Sequence, residues 1–257
     1  MKRNLPSRTL ALGATAALVT TFAVPGVAQA QPYDFEAGLS YINFDPDVGR
    51  SDSAIALDLA WYWDGVRTVG LPLQEAAFIN RASNINFGYL TFDRADFDET
   101  SLGAEYYVDR LYLAADYIRS SNGDTFHDFV LGIGYVPMDG FRLAARYVIV
   151  DEGDDAFAFE AKYVGLLAGG TAWGIEGSLE FVDDDFDTTF FNLSGDYYFT
   201  PELSAGLRFS YLDDDFGSDS GWGIGAKFFF TPTISGEIEY FDDDFVETIG
   251  VRFAARF

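Results

Sequence analysis

The C-terminal stretch of the chain alternates strictly between large apolar residues and residues that are small, polar or charged. Ile249, Val251, Phe253, Ala255 and Phe257 occupy one set of positions, and Thr, Gly, Arg, Ala and Arg occupy positions 248, 250, 252, 254 and 256. Because a β-strand points successive side chains to opposite faces, this run has one face suited to lipid and one suited to water. Such alternation is typical of a strand that crosses a membrane within a β-barrel.

The same period recurs along the chain and defines fourteen candidate strands, from Asp34–Phe44 to Val246–Phe257. Each has a length near the ~9–11 residues that a tilted transmembrane strand requires. Short turns such as Asp109-Arg110 alternate with acidic loops such as Asp213–Ser220. Short turns at one end, longer loops at the other and an even strand count predict an all-β fold, a transmembrane antiparallel up-and-down β-barrel with both termini in the periplasm. Twelve strands would follow if the hairpin around 172–199 did not cross the membrane.

Tyrosine crowds the ends of the candidate strands, as it does in the aromatic girdles of membrane barrels. The set comprises Tyr89, Tyr106, Tyr107, Tyr117, Tyr135, Tyr147, Tyr163, Tyr197, Tyr198, Tyr211 and Tyr240. A soluble β-sandwich also alternates, but its outer faces would be charged. Because the polar face is the minor one here, the pattern favours the membrane barrel.

The first thirty residues predict a cleaved export signal. Lys2, Arg3 and Arg8 precede an apolar stretch from about Leu10 to Val24, and Ala28-Gln29-Ala30 matches a cleavage site. The alternative is an N-terminal membrane anchor, for which the apolar run is short. Residues 31–257 would then form the barrel, and because the chain has no cysteine, it cannot be stabilised by disulfides.

The chain carries a formal net charge of −25, which excludes nucleic acid as a partner because phosphates require a basic surface. Much of this charge lies in three related motifs, Phe-Val-Asp-Asp-Asp-Phe at 181–186, Tyr-Leu-Asp-Asp-Asp-Phe at 211–216 and Tyr-Phe-Asp-Asp-Asp-Phe at 240–245. They could form a carboxylate ring that binds Ca²⁺ or Mg²⁺ and bridges to lipopolysaccharide, or a solvated acidic rim. Since no twelve-residue calcium loop is present, we favour the solvated rim and predict neither a metal nor a cofactor.

The one long connection at the short-turn end, Asp64–Ser83, contains Leu71-Pro72-Leu73-Gln74-Glu75-Ala76-Ala77-Phe78-Ile79-Asn80-Arg81. Its Glu-Ala-Ala-Phe core predicts a short helix. Together with Ala82-Ser83-Asn84-Ile85, which leads into a strand, this segment resembles the putative-porin families of Gram-negative outer membranes. The resemblance implies a barrel in the bacterial outer membrane with a passive transport role. The chain departs from a constricted porin because none of its loops is an obvious inward-folding constriction loop.

The aromatic residue at the C-terminus, Phe257, also resembles the assembly signal of bacterial outer-membrane barrels. That resemblance implies recognition by the barrel-assembly machinery. The other expected partners are outer-membrane lipid and lipopolysaccharide.

The predicted lumen face carries charges of both signs, which would tune ion selectivity in a water-filled path. The predicted pore-lining residues are Asp58, Glu105, Asp116, Arg142, Arg146, Glu160, Lys162, Glu176, Glu180, Asp196, Arg208, Lys227, Glu237, Glu239, Arg252 and Arg256. Fourteen strands fall between filled eight-stranded barrels and open sixteen-stranded ones, so we expect such a path. Because acids outnumber bases, we predict a passive, weakly cation-preferring channel for ions and small hydrophilic solutes. The alternative is a non-conducting structural barrel, plugged by its own side chains, with a cation-binding acidic rim.

An enzymatic role is disfavoured. The only histidine, His127, is expected in the loop Ser120–His127 beside Asp128. A surface hydrolase would need a second base or an activated nucleophile, and no pattern supplies one. We therefore predict that the protein is not an enzyme.

Overall fold

A computed structural model describes residues 32–151, 153–167, 170–183 and 188–257, so the predicted export signal lies outside the described residues. Within them, fourteen strands form one closed barrel in which sequence neighbours pair antiparallel and β1 pairs with β14. The strands are β1 (Tyr33–Pro46), β2 (Asp52–Val66), β3 (Asn84–Phe92), β4 (Asp98–Val108), β5 (Leu111–Asn122), β6 (Asp124–Met138), β7 (Phe141–Ile149), β8 (Ala156–Leu166), β9 (Ala172–Val182), β10 (Thr189–Thr200), β11 (Leu203–Asp214), β12 (Gly217–Thr231), β13 (Ile234–Asp243) and β14 (Val246–Arg256). The predicted fold and strand count are confirmed.

The barrel separates apolar and polar residues between its two faces. Large apolar side chains such as Leu131 and Leu207 point outward, and they are 53% and 66% exposed. The residues between them point inward, as Ala56 and Asp58 do on either side of Leu57. Because the side-chain period is two, a slip of one residue would place the inward charges in lipid, so the pattern fixes the register of each strand.

The short turns, both ends of the described barrel and the connection between β2 and β3 lie at one end. There the Asp34 N–H donates to the Phe257 carbonyl at 2.7 Å, which joins the start of β1 to the end of the chain. Asp109, in the turn between β4 and β5, has a φ of +52°. In outer-membrane barrels the end with short turns faces the periplasm.

At the opposite end, the strands extend further than the sequence predicts. β5 ends at Asn122 and β6 begins at Asp124, so the single residue Gly123, with a φ of +79°, replaces the expected loop Ser120–His127. The loop placement of His127 is therefore wrong, because His127 lies within β6 and pairs with Arg119. A run of polar residues in the sequence marks the point where a strand leaves the membrane. The backbone pairing of the hairpin continues beyond that point into water, so the strands are longer than the sequence predicts.

Two of the predicted girdle tyrosines face the interior. Tyr106 and Tyr197 are 48% and 42% exposed on the outer face, whereas their neighbours Tyr107 and Tyr198 point inward, and Tyr198 is only 1% exposed. Consecutive residues of a strand lie on opposite faces, so a Tyr-Tyr pair can supply only one ring to a girdle. The girdle assignment of Tyr107 and Tyr198 is therefore wrong.

The connection between β2 and β3 contains a 3₁₀ turn at Leu73–Glu75 followed by the short helix α1, Ala76–Ile79, as the Glu-Ala-Ala-Phe core predicts. In the part of the chain that the structure describes, no helix is long and apolar enough to cross a membrane.

Candidate functional site in the barrel lumen

Every residue predicted to line the pore lies on the inner strand face, between outward-facing neighbours. The structure brings all of these residues except Glu180 into ion pairs, and every one of the basic residues in the set pairs with a carboxylate. Three groups of pairs lie along the wall, and a fourth surrounds Lys162. Two acids outside the predicted pore-lining set, Glu36 on β1 and Glu75 in the connection between β2 and β3, take part in these pairs.

The first group joins the strands that close the barrel. Arg252 on β14 pairs with Asp58 on β2 and, at 3.3 Å, with Glu36 on β1. Arg256 donates from Nε to Glu36 at 2.6 Å. A Cβ at Gly38 would overlap the Asp58 carboxylate and the Arg252 guanidinium, so the ends of both side chains would have to shift to accommodate it. These contacts bridge β1, β2 and β14 on the lumen side of the closing seam.

The second group lies across β4, β5, β7 and β8. Arg142 is 3.6 Å from Glu105 and 4.0 Å from Glu160, and it is 8% exposed. Arg146 lies 2.8 Å from Glu160 and 3.9 Å from Asp116. Glu160 thus lies between the two arginines, and Glu105 and Asp116 are the second carboxylates of Arg142 and Arg146.

The third group joins β10, β11, β12 and β13, and its Glu237 also lies 3.9 Å from Arg252 of the first group. Arg208 on β11 donates to Asp196 on β10 at 3.2 Å and lies 3.9 Å from Glu239 on β13. Lys227 on β12 lies 3.1 Å from Glu237 on β13. Each basic group is matched by at least one carboxylate, so its own charge is locally screened, and the second and third groups each hold one carboxylate more than they hold basic residues.

Two inward-facing acids lie nearer the acidic end of the barrel and differ from the paired ones. Glu99 on β4 and Glu180 on β9 are partly buried, and no basic group of the described residues lies within the 4.0 Å ion-pair distance of either carboxylate. Glu99 borders a lumen cavity of about 430 Å³ that also contacts Asp58, Asn86 and Ser101. This part of the lumen therefore carries net negative charge.

The connection between β2 and β3, residues 67–83, folds across the periplasmic mouth, and we refer to it as the plug segment. The Leu73 N–H donates to the Pro201 carbonyl at 2.8 Å, and Ser204 Oγ donates to Gln74 Oε1 at 2.8 Å. Arg256 Nη1 donates to the Leu73 carbonyl at 2.9 Å. Pro201 and Ser204 belong to the turn between β10 and β11 and to β11, on the side of the barrel opposite β2 and β3.

Glu75 is the charged residue that the plug segment inserts into the barrel. It is 5% exposed, and both of its carboxylate oxygens are bound. Tyr198 Oη donates to Oε1 at 2.7 Å, and Lys162 Nζ lies 3.0 Å from Oε2. A buried carboxylate is stabilised only when such donors replace water, so Glu75 holds the plug segment to β8 and β10.

Phe78, one helical turn further on, packs against two cations of the opposite wall. Its ring centroid is 5.0 Å from Lys162 Nζ and 5.6 Å from Arg142 Cζ. Arg142 also lies 4.2 Å from the ring centroid of Tyr112, and its Nη1 donates to Tyr107 Oη at 2.9 Å. The inward positions of Tyr107 and Tyr112 thus support the cation against which the plug segment packs.

The plug segment is fixed at its ends as well as at its centre. Arg81, with a φ of +53°, donates to the Asp109 carbonyl at 2.9 Å and to Asp139 at 2.8 Å, on the two neighbouring turns. Ala76 and Ala82 of the plug segment pack in a buried cluster with Tyr33 of β1 and Val66 of β2. Strand periodicity carries no information about a connection, so the sequence predicts the helix but not its insertion into the barrel.

Among the described residues, no group of three or more histidine, aspartate or glutamate side chains is arranged to hold a metal ion. The acidic motif at 181–186 lies partly outside the described residues. Apart from Glu99 and Glu180, the lumen carboxylates named above lie beside arginine, lysine or tyrosine donors.

A family model described as "Putative general bacterial porin" matches residues 8–188. Among solved structures, the chain is similar to the outer membrane protein Omp33 of Acinetobacter baumannii, with 25% identity, a TM-score of 0.76 and coverage of 89% of this chain and 100% of that one. OprB of Pseudomonas putida shares the fold at 7% identity and a TM-score of 0.51, with 88% and 94% covered. A bacterial polysaccharide outer membrane secretin also shares it, at 13% identity and a TM-score of 0.51, with 88% and 99% covered. No curated protein matches the chain.

Proposed function

Because the chain belongs to the putative general bacterial porin family and is an outer-membrane β-barrel, we propose that it is a passive channel for ions and small hydrophilic solutes whose periplasmic mouth is closed by the plug segment. The observation that carries this proposal is the path of residues 67–83 from β2 across the mouth to β11. The barrel pairs completely without this segment, so displacing the plug segment would open a path without breaking the wall.

Weak cation preference is the second part of the proposal. The unpaired Glu99 and Glu180 line the acidic half of the lumen, whereas each basic group nearer the plug segment is matched by a carboxylate. Fixed negative charge beside a water-filled path raises the local concentration of cations. The predicted pore-lining residues would then act in two ways, with paired groups shaping the wall and unpaired acids setting selectivity.

The alternative is a non-conducting structural barrel whose acidic rim binds divalent cations. The same plug segment favours it, because a lumen that is closed at all times would need these contacts too. Under either proposal the C-terminal strand ending at Phe257 would be recognised by the barrel-assembly machinery. An enzymatic role gains no support from His127, whose Nδ1 lies 2.7 Å from the Tyr117 hydroxyl on the adjacent strand.

Single-channel conductance in planar bilayers, with reversal potential measured across a salt gradient, tests the proposal. The native protein is compared with a variant in which residues 70–80 are replaced by a short Gly-Ser linker. We expect the variant to give steady conductance steps with a cation-leaning reversal potential, and the native protein to open rarely.

A matched control replaces the exposed loop residues 48–50, at the other end of the barrel, with Gly-Ser. This control keeps the native conductance if the plug segment is what closes the channel. A correctly folded variant without the plug segment that gives no steps would overturn the channel proposal and leave the structural barrel in its place.

A further inference from the structure

The plug segment presents two chemically different groups to the same cation of the barrel wall. Lys162 Nζ is 3.0 Å from the Glu75 carboxylate and 5.0 Å from the centroid of the Phe78 ring. The Phe78 ring also lies 5.6 Å from Arg142 Cζ. A carboxylate and an aryl ring held side by side are the two recognition groups of a small aryl carboxylic acid.

The groups that receive them belong to the barrel and are positioned independently of the plug segment. Lys162 is held by Glu176 at 3.1 Å, and Arg142 is held by Glu105 and by the Tyr107 hydroxyl. Tyr198 lies on β10, whose backbone is fixed by its pairing with β9 and β11. If the plug segment leaves, the ammonium, the guanidinium and the tyrosine hydroxyl stay near their present places.

If the plug segment leaves, each of these three barrel residues loses one of its contacts. Lys162 would lose one of its two carboxylates, and the Tyr198 hydroxyl would lose its acceptor. Arg142 would keep the Tyr112 ring at 4.2 Å but lose Phe78. An oxyanion and a ring face are therefore the two elements that the vacated wall would bind best.

We propose that Lys162, Arg142 and Tyr198 form a binding site for small aryl carboxylates, which Glu75 and Phe78 occupy in the closed channel. A solute of this class competes with the plug segment and shifts the channel toward its open state. The exchange is charge-neutral, because one carboxylate replaces another and Glu75 regains its hydration. This inference rests on the proposed function, since it names the solute class that acts at the plug segment.

The chemistry of the site separates this class from other porin solutes. A neutral sugar offers no oxyanion to Lys162 and Tyr198, and a cation offers neither group a hydrogen-bond acceptor. A simple anion such as acetate meets the carboxylate requirement but leaves the position of the Phe78 ring empty. Only a molecule with both elements replaces all the contacts that Glu75 and Phe78 make with the wall.

Binding of 3-phenylpropionate to the purified protein, measured by isothermal titration calorimetry in detergent, tests the site without requiring a conducting channel. Glu75→Ala removes the internal competitor, so we expect this variant to bind about tenfold more tightly than the native protein, in proportion to the larger fraction of vacant sites. Phe78→Ala should act in the same direction and provides a second variant if Glu75→Ala does not fold.

Adding Lys162→Met to Glu75→Ala should weaken binding by about tenfold or more, because the charged partner of the carboxylate is lost. Lys227→Met in the same background is the matched control, since Lys227 is a lumen lysine that pairs with Glu237 at 3.1 Å and forms no ion pair or hydrogen bond with residues 67–83 in the part of the chain that the structure describes. We expect the control to retain the binding. Equal loss in both variants would overturn the site.

Two further probes test the class of ligand. Acetate and 3-phenylpropanamide each carry one of the two recognition groups, and we expect both to bind more weakly than 3-phenylpropionate. If the amide binds as tightly as the acid, binding reflects partition of the ring and the inference is wrong.

Conductance separates failure of this inference from failure of the proposed function. In bilayers, 3-phenylpropionate should raise the open fraction of the native channel and have little effect once residues 70–80 are replaced. If that replacement conducts but the acid neither binds to Glu75→Ala nor opens the native channel, the site is overturned and the porin proposal stands. If the replacement is silent, the channel proposal fails whatever the titration shows.

Discussion

The two halves of the lumen are built differently. Toward the periplasm, basic residues such as Arg142, Lys162 and Arg256 pair with carboxylates and bind the plug segment. Toward the acidic hairpins, Glu99 and Glu180 have no such partners within ion-pair distance among the described residues. Both halves hold acids, so composition does not distinguish them. The difference is in whether each acid is matched.

Matching has a consequence for transport. A paired charge shapes the wall but adds little to the field, whereas an unpaired carboxylate in a partly enclosed space attracts cations. The comparison therefore separates selectivity, which we assign to the acidic half, from closure, which we assign to the periplasmic half. Changes on either side should affect one property and spare the other.

The largest effect is expected at Arg142. Arg142→Met leaves Glu105 and Glu160 without a shared cation and removes the guanidinium against which Phe78 packs. Breaking a largely buried ion pair from one side costs about 3 kcal/mol, and we expect a loss of that order in the free energy of unfolding. Guanidinium unfolding in detergent, followed by tryptophan fluorescence, measures it.

Arg208→Met is the matched control, because Arg208 pairs with Asp196 and Glu239 and forms no hydrogen bond or ion pair with the plug segment among the described residues. Both variants should lose stability, but only Arg142→Met should open the channel more often. An equal rise in conductance would show that the plug segment does not depend on Arg142.

A smaller effect is expected from removing the hydroxyl group of Tyr198. Tyr198→Phe removes the hydroxyl that donates to Glu75 at 2.7 Å and keeps the ring. Loss of one hydrogen bond to a charged acceptor costs about 1–2 kcal/mol, so the fraction of time that the channel spends open should rise by about five- to thirtyfold. Single-channel recording measures the change.

The neighbouring residue provides the control. Tyr197→Phe removes the same atom from the outer face, where Tyr197 is 42% exposed, and should leave channel opening unchanged. If both substitutions act alike, the effect arises from the barrel as a whole and not from the hydroxyl that binds Glu75.

The acidic half is tested by neutralising its unmatched acids. Glu99→Gln combined with Glu180→Gln should reduce the cation-to-anion permeability ratio by about twofold, because fixed charge near a pore sets the local ion concentration. The reversal potential across a salt gradient measures that ratio. Glu237→Gln, at a carboxylate matched by Lys227, should change it less. A larger shift from Glu237→Gln would contradict the separation of the two halves.

The barrel itself could be predicted from the sequence because it depends on a period-two pattern. The alternation in β14 and its repetition through the chain fix the strand count and the inward face, and every predicted pore-lining residue lies on that face. Which charges pair could not be predicted. Arg252 contacts Asp58 and Glu36 only because the barrel closes, and these residues are far apart along the chain.

The plug segment marks where prediction from the sequence ends. The Glu-Ala-Ala-Phe core indicates a helix, but a helix in a connection can lie outside or inside the mouth. Its insertion depends on Lys162, Tyr198 and Arg142, which lie on strands distant from it in sequence. Alternation places Tyr198 on the inner face once the register of β10 is known. Its strand partners are Ala172 and Ser204, so no predicted pore-lining acid lies directly opposite its hydroxyl. This is the one signal in the sequence that the hydroxyl has a partner from outside the wall.

The smallest effect is expected outside the membrane, beside β8. The Tyr147 hydroxyl, and the Val150 N–H after it, donate to Asp155 and hold the pKa of that carboxyl below its usual range. Because the folded pKa is depressed, the contribution of Asp155 to stability is complete above its ordinary pKa and is lost as the pH falls through the folded value. Tyr147→Phe should raise the pKa of Asp155 toward its ordinary value and so reduce the pH range over which this contribution to stability is lost. An NMR titration of the carboxyl carbon measures the shift, with Tyr135→Phe at the opposite end of the barrel as the control. An unchanged pKa in Tyr147→Phe would mean that the tyrosine does not hold this hairpin.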